Sequence, residues 1–251
     1  MTKKILSILT ILTLCGMVSC NDKKHKKITT QTMETLNVEK KDSEKVNLTT
    51  EKRKSITDFL PKGYRIFEKV YGDVNKDGLE DCIIVIKGIN KNNIIKDENR
   101  GELDRNRRGL IILLNRNENY ELAVKNYECF SSENENGGVY YAPELSVEID
   151  KGNLYILYAH GRYGYWRYTF RFQNSDFELI GYNASDNRGP VVSSEISINY
   201  LTKKKIVKEN TNEKAESGEE VFKETVTRIN KSKRTKLSEI KDFDELEASE
   251  D

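Results

Sequence analysis

The chain has 251 residues, 33% of them charged, with Lys+Arg 42 against Asp+Glu 41 and only two histidines. No strongly basic domain face is available to hold nucleic acid. His160 stands alone in the part expected to fold, His25 lying in a polar leader, so a metal centre built on a pair of histidines is excluded there.

Lys3 and Lys4 precede the apolar run Ile5 to Val18, then Ser19-Cys20, and the chain turns polar at Asn21-Asp22-Lys23-Lys24. A short basic start, an apolar stretch too short to span a bilayer as a stable helix, and a small residue before the cut read as a secretory signal over residues 1–19. With a cysteine directly after the cut, the pattern resembles a bacterial lipoprotein signal. That resemblance implies a lipidated Cys20 as the new N-terminus, a membrane lipid anchor and an extracytoplasmic place in the cell envelope. An ordinary cleaved signal ending at a cysteine is the alternative.

Residues 20–55 have scattered apolar positions without a sustained period and are expected to form a disordered tether. Asn21 to Ser55 carry a net +4 and Ile56 to Asp251 a net −5, so a basic spacer precedes a mildly acidic body. Such a spacer suits anionic headgroups but, being solvated, needs no partner. Order is expected from Ile56, with Ser55 capping a short turn at Ile56 to Leu60 and Pro61-Lys62-Gly63 breaking it.

From Tyr64 the pattern is one of short strands. The first four are Tyr64 to Tyr71, Asp81 to Lys87, Gly109 to Asn115 and Tyr120 to Tyr127, the last two joined by the turn Asn115 to Asn119. After a loop from Ser131 to Pro143 come Leu145 to Ile149, Asn153 to Tyr158, Tyr165 to Gln173 and Phe177 to Tyr182. Asn183 to Ser194 reads as a loop, followed by a hairpin, Ile196 to Leu201 with Lys205 to Lys208. Val221 to Ile229 is rich in β-branched residues and reads as a strand. A short apolar piece at Leu237 to Phe243 and a frayed, polar end complete the β domain, residues 56–251. The expected class is mainly β: antiparallel meanders in one or two packed sheets, as propeller-like blades or a β-sandwich. Cys82 and Cys129 either pair or stay as buried thiols; a strand between them would put them beyond disulfide reach.

Gly72 to Asp81, G-D-V-N-K-D-G-L-E-D, places side-chain oxygens at Asp73, Asn75, Asp77 and Asp81, with Gly78 at the tight bend. The first five positions follow EF-hand spacing, but Ile84 stands where the bidentate glutamate belongs. The loop instead resembles those of FG-GAP or VCBS-type β-repeats, in which D-x-N-x-D-G-x-x-D joins two strands of a propeller blade. The resemblance covers Phe67 to Lys87 and implies a structural Ca2+ held by Asp73, Asn75, Asp77 and Asp81 and the Leu79 carbonyl. A tight Asx-rich turn without metal is the plainer alternative.

Along Tyr165 to Phe172 the alternation puts Trp166, Tyr168, Phe170 and Phe172 on one face, expected to be core, and Tyr165, Arg167, Thr169 and Arg171 on the other. His160, Arg162, Tyr163 and Tyr165 stand at a corner flanked by Gly161 and Gly164, where rings and a cation can stack on a sugar or grip an anion. No nucleophile-elbow motif is present.

The expectation is therefore a lipid-anchored extracytoplasmic β protein with one structural calcium and a non-catalytic binding or envelope-associated role, meeting a protein or a glycan. A glycan-acting hydrolase and an inhibitor or immunity-type lipoprotein are the rivals. Fatty-acid labelling of the expressed chain should be lost in Cys20→Ala; a label that persists refutes the anchor.

Overall fold

The computed structural model describes residues 51–137, 140–230 and 233–248, all within one compact unit, Leu48–Asp251. The signal segment, Cys20 and the tether up to Thr50 lie outside the described residues. No helix among the described residues is long and apolar enough to cross a membrane.

The strands are, in chain order, β1 (Lys52–Arg53), β2 (Tyr64–Gly72), β3 (Asp81–Gly88), β4 (Ile94–Asp97), β5 (Gly101–Asp104), β6 (Arg108–Asn115), β7 (Tyr120–Phe130), β8 (Asn136–Gly137), β9 (Tyr140–Tyr141) and β10 (Glu144–Asp150). They continue with β11 (Asn153–Ala159), β12 (Gly164–Gln173), β13 (Asp176–Arg188), β14 (Val191–Asn199), β15 (Lys204–Asn210) and β16 (Phe222–Arg228). The first sheet has the order β1-β7-β6-β3-β2; the second is a meander of seven strands, β10 through β16. Every pairing is antiparallel. The mainly β expectation holds.

One apolar cluster joins alternate residues of both sheets. Ile83, Val85, Leu110, Ile112 and Val124 come from the first, and Leu154, Ile156, Tyr168, Phe170 and Leu179 from the second. The sheets therefore pack face to face. The other face of β3 and β6, Cys82, Ile84, Ile86, Ile111 and Leu113, is buried beneath Phe59, which the Ser55-capped turn Ile56–Phe59 delivers. Burial on both faces is why Cys82 to Ile86 shows no alternation of polarity. Cys82 and Cys129 are free; β6 lies between their strands, and they belong to opposite faces of the sheet.

The structure differs from expectation in four places. Pairing starts at Lys52, opposite Glu121 of β7, before the expected tether ends. A hairpin of β4 and β5 fills the connection between β3 and β6, which showed no strand signal. Asn183 to Ser194 is not a loop but the continuation of β13 into β14, because ladder pairing with β12 and β15 on either side overrides the poor strand propensity of Asn, Asp and Ser. Finally, the end does not fray before Ala248. Leu237, Ile240, Phe243 and Ala248 are buried in the shared core, and Asn126 Nδ2 donates to the Leu237 and Ile240 carbonyls at 3.0 and 2.6 Å.

Candidate functional site

Ala159 ends β11 and Gly164 begins β12, so the chain must reverse between them. It does so through a single 3-10 turn, Gly161–Tyr163, with His160 N donating to the Gly164 carbonyl at 2.9 Å. Gly164 has φ 111, and a Cβ there would lie 1.8 Å from the Ser185 carbonyl oxygen, so only glycine fits this close approach of β12 to β13. The corner gathers three of the four residues singled out in the sequence. His160 and Tyr163 rings lie 5.3 Å apart, and the Arg162 guanidinium stands 5.9 Å from the Tyr163 ring. His160, Arg162 and Tyr163 line a cavity of about 410 Å³ with Glu144. Tyr165, the fourth, is 39% exposed and meets His160 and Tyr163 in an adjoining cavity of about 310 Å³.

That second cavity is floored by the inner face of β12 to β14, with Trp166, Tyr182, Ala184 and Ile196 below and Asp186 and Ser194 at the rim. Trp166 and Tyr182 are shared with a third cavity of about 400 Å³, which adds Tyr158, Tyr168, Phe243 and Asp244. The second and third spaces adjoin along this aromatic floor, whereas Glu144 and Ala159, which line the first, lie on the opposite face of the sheet. The face expected to be core does face the core: Tyr168 and Phe170 are buried in it, and Trp166 and Phe172 pack against it while staying partly exposed. Trp166 stacks on Tyr158 at 5.4 Å and 15° and pairs across strands with Ala184. That small partner, which leaves room over the indole, was the available sign. Tyr158, Tyr182 and Asp244 carried no comparable local signal, because β11, β13 and the C-terminal segment meet only in the fold.

Tyr158 is 2% exposed, and its hydroxyl has no hydrogen-bond partner among the described residues. Burial pushes its phenol well above the ordinary tyrosine value, with the Asp244 carboxylate adding to the effect. Burial also raises Tyr168, whose hydroxyl reaches the Phe243 carbonyl at 3.5 Å, and Tyr182. On the cleft wall, Ser132 Oγ donates to Glu135 at 2.8 Å, and Arg108 Nε donates to the Ser131 carbonyl at 2.9 Å. Fully buried Lys87 pairs with Glu133 and, at 3.0 Å, with Asp104.

The acidic loop lies elsewhere, beside the β10–β11 turn. Gly72 abuts Ile149, and the Lys76 side chain runs over Gly152. The loop is closed by its own Asx turns. Asp73 accepts from the backbone amides of Lys76, Asp77 and Gly78, and Asp77 accepts from Leu79 and, at 2.8 Å, from Asn75 Nδ2. Arg116 also pairs with Asp77 at 2.8 Å, and fully buried Asp81 bridges the Val74 and Asn115 amides. Among the described residues no three carboxylate, histidine or cysteine side chains are grouped as metal ligands are. Burial raises the Asp81 carboxyl pKa, its two amide bonds only partly offset that, and Asp77 and Asp73 push it further. The donor set, all oxygen, fits a hard cation, but the carboxylates as placed face amides and Arg116 rather than a common point.

No known protein family, curated protein or solved structure matches this chain. The chemistry is therefore read from the cleft itself. Rings supply stacking surface, Asp186, Ser194 and His160 supply rim hydrogen bonds, and Glu144 is the one carboxylate beside Arg162. A buried hydroxyl left unpaired costs about 1–3 kcal/mol. Tyr158→Phe should therefore raise the unfolding free energy of the ligand-free protein by about 1 kcal/mol in urea titrations; a loss of that size would show that the hydroxyl is already satisfied.

Proposed function

We propose that this chain is a lipid-anchored, extracytoplasmic binding protein of the bacterial envelope that holds a ligand in the aromatic cleft without turning it over. The observation that carries the reading is an aromatic floor, Trp166 and Tyr182, left only partly buried between two adjoining cavities, with Asp186 and Ser194 beside it. Polar groups convergent on an apolar pocket are the usual mark of a ligand site. Stacking surface dominates over reactive groups: one carboxylate, Glu144, lines the cavity that holds His160 and Arg162. Native mass spectrometry of the full chain after exposure to an envelope extract should show an adduct of unchanged ligand mass that is lost in Trp166→Ala. Consumption of the ligand with release of products would turn the reading into the hydrolase.

We also propose that the Gly72–Asp81 loop takes a structural Ca2+ through Asp73, Asn75, Asp77, Asp81 and the Leu79 carbonyl. The all-oxygen donor set and the electrostatic cost at Asp81 support it. Because the folded Asp81 pKa is raised, its favourable contribution is present below the ordinary carboxylate range and is lost as pH climbs through the raised value. At neutral pH the bare loop then carries repulsion that a cation relieves. Calcium should raise the melting midpoint at pH 7, chelator should lower it, and the response should fade at acid pH. Asp77→Ala should abolish the shift, while Arg116→Ala, which removes the competing ion pair together with the Arg116–Glu121 bond but no metal ligand, should keep it. An unchanged midpoint on adding calcium or chelator removes the calcium site.

A further inference from the structure

Resting on the binding reading above, we infer that the cleft takes a neutral saccharide chain, one of whose rings lies on Trp166. The floor around the indole is low and flat: Ala184 pairs with it on β13, and Ile196 pairs with Ala184 on β14. An aromatic face bordered by small apolar groups matches the C–H face of a sugar ring, while the ring's hydroxyls need donors and acceptors around its edge. Asp186, Ser194 and His160 stand at that edge.

Charge and hydrogen bonding separate this ligand from the alternatives. Among the described residues neither the Trp166 cavity nor the Tyr158 cavity is lined by a lysine or arginine, Arg162 lining the corner cavity instead, and both contain carboxylates, Asp186 in one and Glu135 and Asp244 in the other. An anionic ligand is therefore opposed at both. An organic cation would suit the carboxylates but needs several free ring faces turned on one point. Here the rings occupy one another instead, Tyr158 on Trp166 at 5.4 Å and Tyr168 against Tyr182 at 5.3 Å. Two adjoining spaces of about 310 and 400 Å³ that share Trp166 and Tyr182 suit a short chain of sugar units better than one.

Trp166 is the only tryptophan in the chain, so its emission reports on this floor and nothing else. The full chain, in a detergent without a sugar headgroup, is titrated with tetrasaccharides of β-1,4-glucose, α-1,4-glucose and β-1,4-N-acetylglucosamine, and separately with choline. The expected result is a saturable change with at least one tetrasaccharide. Binding should be lost in Tyr182→Ala, which removes a ring shared by the two cavities. A change with choline and none with any tetrasaccharide overturns the saccharide while leaving the cleft as a binding site. Silence to every tetrasaccharide, with an extract adduct still lost in Trp166→Ala, does the same. Silence together with no adduct removes the binding reading itself. Equal affinity of Tyr182→Ala and the parent chain overturns the placing of the ligand on this floor.

Discussion

Two sheets of unequal width share one core, and the molecule's remaining features follow from how that mismatch is resolved. Seven strands face five, so part of the inner face of the wider sheet has no strand opposite it. The C-terminal segment fills much of the gap. Phe243 packs against Phe130, Tyr168 and Phe170 at centroid distances of 5.0, 5.1 and 6.2 Å, and its amide donates to the Cys129 carbonyl at 2.9 Å. A buried aromatic of this kind contributes a few kcal/mol, a large share of the net stability of a domain. Where this plug stops, Trp166 and Tyr182 are left partly uncovered, and the cleft is the uncovered remainder.

A cleft made this way is only as rigid as its far wall, residues 131–136, which belong to no large sheet. That wall is tied down by buried charge. Lys87 leaves β3 fully buried, meets Glu133 and Asp104, and lies 6.0 Å from the ring of Phe67, the residue pushed out of the β2–β3 ladder by a register shift. Arg108 stands 5.6 Å from the same ring, and burial lowers its pKa. Buried ion pairs seldom add net stability, because desolvation offsets their attraction, but removing one partner strands the other. Their value here is positional: they fix the wall that presents Glu135 and Asn136 to the cleft.

The sequence was legible where a local rule decides. Ser55 caps the short turn as expected, the first four strands pair as a meander, and Lys203 and Asn117 take positive φ at expected turns. The His160 corner was also legible, since glycines on both sides of a turn between aromatic strands constrain it locally. What stayed hidden depends on distant partners. Polar strand residues from Asn183 to Arg188 look like a loop until β12 and β14 pair with them, and Phe243 looks like part of a frayed tail until the open edge of the core accepts it. The partial exposure of Trp166 was hidden for the same reason: alternation put it rightly on the core face, but does not say whether the opposite sheet reaches that far.

The two candidate sites stand at opposite ends of the same strands. β11 runs from the Asp150–Gly152 turn, which packs on the acidic loop, to His160 at the cleft, and seven residues at about 3.3 Å each separate the two ends. β3 spans the same distance, with Asp81 holding the loop at its start and Lys87 holding the cleft wall near its finish. A cation in the loop would act on the cleft only through the stiffness of these strands, which suits a staple rather than a participant in ligand chemistry. The chain also enters the domain at the loop end: Lys52 and Arg53 pair with the start of β7, beside Asn115, whose amide bonds Asp81. The chain thus enters the domain at the end of the strands remote from His160 and Trp166.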